Sequence, residues 1–131
     1  MDSVDTVIRK VQHRAKSTPV IGFQEVLSWD TDFTVSGYFV RHEAGSKAAL
    51  AIPAEMCTHR GASHARGDVV GLRSGRLGLV CAYLPDSGKP LAAFIAAVAD
   101  LDEVLRLLKR DGCNIMIIMS DTNVEFAYDP D

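Results

Sequence analysis

Apolar residues recur along this chain in distinct rhythms, and each rhythm predicts a different element. Val4, Val7, Ile8, Val11 and Ala15 fall three or four positions apart, with lysine and arginine between them, the spacing of a helix with one buried face. Ser3 can cap that helix, and Pro19 lies beyond it because proline lacks the N–H a helix interior needs. The same spacing returns at Phe94, Ile95, Val98, Leu101, Leu105 and Leu108. It predicts the longest helix over 91–110, stopped by Gly112, with its apolar face in the core. Short apolar runs bounded by turn residues predict strands at 20–23, 37–42, 47–53, 68–72 and 76–83. Gly45–Ser46 closes one pair as a hairpin and the turn at 73–75 closes another, while 28–34, 58–66 and 85–90 read as polar connections. Last comes Asn114-Ile-Met-Ile-Ile-Met119, an apolar run with no polar interruption, read as a strand buried on both faces.

Helix, strand, antiparallel strands, long helix and strand together predict an α/β fold with a mixed sheet. The 131 residues suit one domain spanning 1–131, and 47% hydrophobic residues suffice for a packed core. A net charge of −3 argues against a protein that coats nucleic acid through bulk charge. Charge is also uneven. His59 to Arg76 carries four arginines against Asp68 alone, whereas Asp121 to Asp131 holds four acids and no base. Solvated loops account for most of this, with Arg60, Arg66, Arg73 and Arg76 the groups able to approach a phosphate backbone. Of three cysteines, Cys81 and Cys113 sit in apolar runs as small core residues. An odd count without close spacing suggests a reducing, intracellular setting, nuclear or cytoplasmic. The sequence has no apolar stretch long enough to span a membrane and no signal-peptide pattern at its start.

Three predicted strands end in chemistry-bearing groups: Gln24-Glu25, Tyr83, and Ser120-Asp121-Thr122-Asn123. Open α/β sheets place their ligands outside the carboxyl ends of strands. If these strands are neighbours, two carboxylates can hold Mg²⁺, a hard ion that takes few protein oxygens and fills its shell with water and phosphate. A phenol and an amide beside them can bond phosphate oxygens, a set suited to phosphoester hydrolysis by a metal-activated water. Cys57, His59 and His64 are metal-ligand types as well, but their spacing offers no fourth ligand, so a zinc site is disfavoured.

In that order, Val20-Ile-Gly-Phe-Gln-Glu-Val26, Cys81-Ala-Tyr-Leu-Pro-Asp-Ser-Gly88, a long helix and Ile117-Ile-Met-Ser-Asp-Thr-Asn-Val124 resemble the endonuclease/exonuclease/phosphatase superfamily. That superfamily includes exonuclease III-type and DNase I-like enzymes and the endonucleases of non-LTR retrotransposons. The resemblance runs from about Val7 to Val124. It implies a DNase I-like mixed sheet with flanking helices, two sheets face to face, of which this chain would be about the N-terminal half of a four-layer sandwich. It also implies a nuclease-like hydrolase using Mg²⁺, or Mn²⁺ in its place, on nucleic acid (DNA ahead of RNA) or another phosphoester. Carried over by motif, Glu25 is the metal ligand and Tyr83 the tyrosine near the scissile phosphate. Asp121 orients or deprotonates the attacking water, and Asn123 contacts the phosphate.

The chain also departs from that pattern. Asparagine occurs only at 114 and 123, so the family's first-strand asparagine has no counterpart. The late aspartate and the Ser-Asp-His triplet have none either, and Ser120 stands where the motif has glycine. The resulting expectations are a catalytically incomplete hydrolase domain or, alternatively, a degenerate non-catalytic binding or scaffold domain of the same fold. A sheet face left without its partner is expected to promote self-association.

Overall fold

The computed structural model describes residues 4–15, 20–56, 63–86 and 88–121. The N-terminal helical spacing forms α1 (Val4–Ala15). Strands β1 (Ile21–Gln24), β2 (Phe33–Val35), β3 (Tyr38–His42) and β4 (Ala48–Pro53) follow. Ser36 and Gly37, at φ of 51° and 78°, join β2 to β3, and two consecutive positive φ values give the twist that an antiparallel hairpin needs. β4 returns between β3 and β1, so the first sheet is antiparallel throughout in the order β1-β4-β3-β2. The second sheet contains β5 (Ser63–Arg66), β6 (Val69–Ser74) and β7 (Leu77–Tyr83) as antiparallel neighbours. Helix α2 (Leu91–Arg110) then crosses over and lays β8 (Ile115–Asp121) parallel to β7, giving the order β5-β6-β7-β8.

The α/β class holds, and the strands form two sheets face to face as expected, of which only the second is mixed. Two strands also lie in segments whose sequence reads as connection. β2 is three residues long with only Phe33 and Val35 apolar, too short for periodicity to register. β5 is Ser-His-Ala-Arg and is a strand because its backbone pairs with β6 from Ser63↔Leu72 to Arg66↔Val69.

Alternation along the strands sorts side chains into layers. Ala48, Leu50 and Ile52 of β4 meet Val70, Leu72, Leu79 and Cys81 between the sheets. Tyr38, Val40, Ala49 and Ala51 face the other way and are covered by Ile8 of α1. On the far side, Val69, Val80 and Ala82 pack beneath Val104 and Leu108 of α2, with Cys113. The layers therefore run α1, first sheet, second sheet, α2. Asp5 of α1 accepts a hydrogen bond from Ser36 Oγ, tying the helix to the β2–β3 turn. None of the described helices is long and apolar enough to cross a membrane.

One expectation is reversed. The run 115–119 is not buried on both faces: Ile115, Ile117 and Ile118 are 60, 47 and 45% exposed. The reason is topological. β8 is an end strand, paired only with β7 among the described residues, and Gly22 of β1 approaches it at Met119. The same holds for α2, whose buried residues Val104, Leu107 and Leu108 lie in its second half. Leu91, Phe94, Ile95 and Val98 in its first half stay exposed, although the periodicity predicts a core face throughout. Inner faces of the two sheets cover each other through β4, β6 and β7, so most of the exposed large apolar side chains are those of the end strand β8 and of the first half of α2. An edge strand whose residues 115–119 are all apolar invites pairing with another chain. We propose that the isolated chain self-associates through β8: sedimentation velocity should show a concentration-dependent increase in mass that Ile117→Lys reduces without loss of the folded circular-dichroism spectrum.

Candidate functional site

At Gly22 the two sheets approach each other closely. A Cβ placed on it would lie 3.1 Å from Cys81 Sγ and 3.2 Å from Met119 Cβ, tighter than carbon packing tolerates without displacement. Lacking that atom, β1 settles directly across β7 and β8. Two residues on, Gln24 Nε2 donates to Ala82 O at 3.3 Å. Within the second sheet, parallel register sets Tyr83 opposite Asp121. The carboxyl ends of β1, β7 and β8 are thereby brought to one rim, as the sequence argument requires of Gln24-Glu25, Tyr83 and Asp121. For Asp121 this concerns the backbone. Asn123, and the expectation that it contacts phosphate, lies outside the described residues.

Glu25 ends β1 abruptly, at a φ of 57°. That left-handed conformation costs a non-glycine residue on the order of 1 kcal/mol and turns the chain out of the sheet, leaving the Glu25 side chain exposed. Val26 N–H then reaches Lys47 O at 3.4 Å, which holds the turn against the start of β4. Such strain is worth noticing where a carboxylate is presented to solvent. Its neighbour Gln24 has a different peculiarity. The bond to Ala82 O fixes the amide orientation, and Gln24 Oε1 is then buried without a hydrogen-bond partner. That oxygen is shut off from solvent, with the amide held against Cys81 and Ala82 between the sheets, so of this pair only the exposed Glu25 carboxylate is open to a hydrated hard cation. Among the described residues, no three His, Cys, Asp or Glu side chains cluster closely enough to hold a metal by themselves.

Lys47 also belongs to this rim, and the sequence reading missed it. Its ammonium lies over the Tyr83 ring, 4.9 Å from the centroid, a cation–π contact worth about 0.5–1 kcal/mol when solvent-exposed. Asp68 holds the arrangement from both sides. Its carboxylate Oδ1 accepts Lys47 N–H at 2.8 Å, and its carbonyl accepts Tyr83 N–H at 2.9 Å. The hairpin of β3 and β4 marks where β4 begins but not that β4 pairs with β1. β4 runs antiparallel to β1, so the residue that begins β4 must lie beside the residue that ends β1.

The other sequence candidates are engaged elsewhere. His64 Nε2 meets Asp111 Oδ2 at 2.6 Å and joins β5 to the end of α2, while Cys57 and His59 lie outside the described residues. His42 is fully buried, its ring nitrogens facing Asp30 O at 3.1 Å and Ser46 O at 2.9 Å. His13 is on α1. No described histidine is therefore free at the rim. Arg66 is exposed, and Arg73 Nε donates to Gly75 O. Burial pushes the Cys81 thiol up from 9.0 to about 11, against smaller opposing effects from hydrogen bonds to Phe23, Ala49 and Gln24. Burial also raises Cys113, so both are core thiols rather than nucleophiles. Compared with protein-family models, curated proteins and solved structures, the chain matches none.

The packing around Gly22 and Cys81 leads to two expected outcomes. Gly22→Val should destabilise the fold by roughly 1–3 kcal/mol in urea denaturation, because the added methyls meet Cys81 and Met119 across the sheets. The raised Cys81 pKa means that its stabilising contribution is complete below about pH 9 and is lost as pH rises through about 11. Thermal melts across that window should show a falling midpoint, and Cys81→Ala should flatten the fall.

Proposed function

We propose that this domain is of the Mg²⁺-dependent phosphodiester hydrolase type, nuclease-like and akin to the endonuclease/exonuclease/phosphatase superfamily. The observation that carries the reading is the convergence of the ends of β1, β7 and β8, through the Gln24–Ala82 bond and the Tyr83↔Asp121 register. In this reading Glu25 holds the metal, whose remaining shell is water and phosphate oxygen. Tyr83 donates its phenol proton to a phosphate oxygen while Lys47, already over the ring, supplies the nearby positive charge. Asp121 orients or deprotonates the attacking water, and Asn123 bonds the phosphate. A bound Mg²⁺ supplies Lewis acidity and neutralises developing charge on the phosphate.

A second reading, a non-catalytic binding or scaffold domain with the same architecture, is favoured by the histidines. His42 and His64 are committed to other contacts, so no described imidazole is at the rim to assist the leaving group. Slow turnover by this polypeptide is therefore expected. Nuclear magnetic resonance titration with Mg²⁺ separates the readings. Saturable shifts at the backbone amides of Glu25 and Asp121, lost in Glu25→Gln, are expected for the hydrolase type, and silence at both residues would leave the scaffold. In a plasmid assay with Mg²⁺, nicking should stay near background. Robust nicking abolished by Asp121→Ala would overturn the expectation of weak turnover while strengthening the assignment of the site.

A further inference from the structure

On the α1 side of the first sheet, a depression of about 240 Å³ is lined by Val4, Ser28, Trp29, Asp30 and Phe33. It shares no lining residue with the rim. Its volume falls below the usual range for a whole small-molecule ligand and suits a single headgroup. Trp29, the one tryptophan of the chain, is the centre of a ring cluster. Phe23, Phe33 and His42 surround it, with ring centroids 4.9, 5.9 and 6.4 Å away. The Trp29 and Phe33 planes are inclined by 71°, so the two rings that line the depression meet as a corner.

The loop carrying these walls is pinned on both sides of the indole. Trp29 N–H donates to Val26 O at 3.0 Å, and Asp32 N–H reaches His42 O at 3.3 Å. The fully buried His42 ring faces Asp30 O at 3.1 Å through Nδ1. A ligand entering here therefore orders little that is not already ordered. Two carboxylates belong to the same loop, and they differ in their partners. Asp32 accepts from Arg41 Nη1 at 2.9 Å and from His42 N–H at 3.1 Å. Asp30 is exposed, and its carboxylate forms no ion pair among the described residues.

Aromatic rings attract a cation held within about 6 Å of their centroids. With centroids 5.9 Å apart, one headgroup in the corner reaches both rings. A hard metal ion is poorly served there, because a single carboxylate supplies too few oxygens. A primary ammonium is also poorly served, since its three N–H groups need acceptors that the two rings lack. A quaternary ammonium has no N–H to satisfy, and its methyls can rest on apolar walls. The geometry points to this corner as a binding site for a quaternary ammonium headgroup, in which the Trp29 and Phe33 rings hold the methyls and Asp30 supplies the opposing charge. Choline compounds and trimethylated lysine side chains both present that headgroup. The site stands apart from the Mg²⁺ reading of the rim and does not depend on it.

A single tryptophan makes the readout specific to the site. The full chain is titrated with choline, with N-acetyl-trimethyllysine amide, with the unmethylated lysine counterpart and with neohexanol, the uncharged isostere of choline. At least one quaternary ligand should shift the Trp29 indole N–H resonance and quench its fluorescence saturably, and the tighter of the two identifies the source of the headgroup. Unmethylated lysine and neohexanol should each bind about tenfold more weakly than that ligand. Asp30→Asn keeps the carbonyl that faces His42 and should weaken binding, by less as salt is raised. Phe33→Leu keeps an apolar side chain in place and should weaken binding about two- to fivefold. Equal affinity for choline and neohexanol, no saturable response to either quaternary ligand, or indifference to both substitutions in a chain that stays folded by circular dichroism would each overturn the site.

Discussion

Close contact between the sheets at Gly22 governs much else in this fold. β1 belongs to the first sheet, yet the functional interest of its last residues depends on strands of the second. No backbone ladder relates the two, because sheets that face each other are joined by side-chain packing, here with a few side-chain hydrogen bonds across it. Here the packing distance is set locally by a missing Cβ, by the sulfur of Cys81 and by the stem of Met119. Once β1 is seated, the Gln24–Ala82 bond follows, and the β7–β8 ladder of the second sheet adds Tyr83 and Asp121 to the same end. The rim is therefore a consequence of core packing beneath it, which couples the placement of the Glu25 backbone to residues that touch no ligand.

Elements defined by local rhythm were legible in the sequence. The helix predicted over 91–110 is Leu91–Arg110, and the strand predicted over 76–83 is Leu77–Tyr83. Placement was not legible, because periodicity says which side chains are alike and not what covers them. Ile115, Ile117 and Ile118 have the composition of an interior strand and the position of an edge strand. β5 shows the opposite case, a polar segment made into a strand by its neighbour. At the rim, Glu25 and Tyr83 were found because strand ends can be read from apolar runs. Lys47 was missed because its role depends on which strand β4 returns beside.

The rim and the open edge lie close together for a shared reason. β1 and β8 are both end strands, and β1 sits across β8, so the two sheets finish on the same side of the sandwich. The surface that carries exposed isoleucines is thus continuous with the strands that carry Glu25 and Asp121. A molecule covering β8 would change the solvent around the rim without touching it. Desolvation strengthens charge interactions there, since the effective dielectric falls as water is removed.

Asp68 does two jobs with one residue. Its carbonyl oxygen holds the exit of β7, and its carboxylate holds the start of β4 in the opposite sheet. Packed side chains resist compression better than shear, so two sheets in face-to-face contact can slide. A hydrogen-bonded bridge at the very end of both is a pin against that sliding, placed where displacement would matter most. It makes the spacing between Lys47 and Tyr83 a property of the backbone, largely independent of how their long side chains fluctuate.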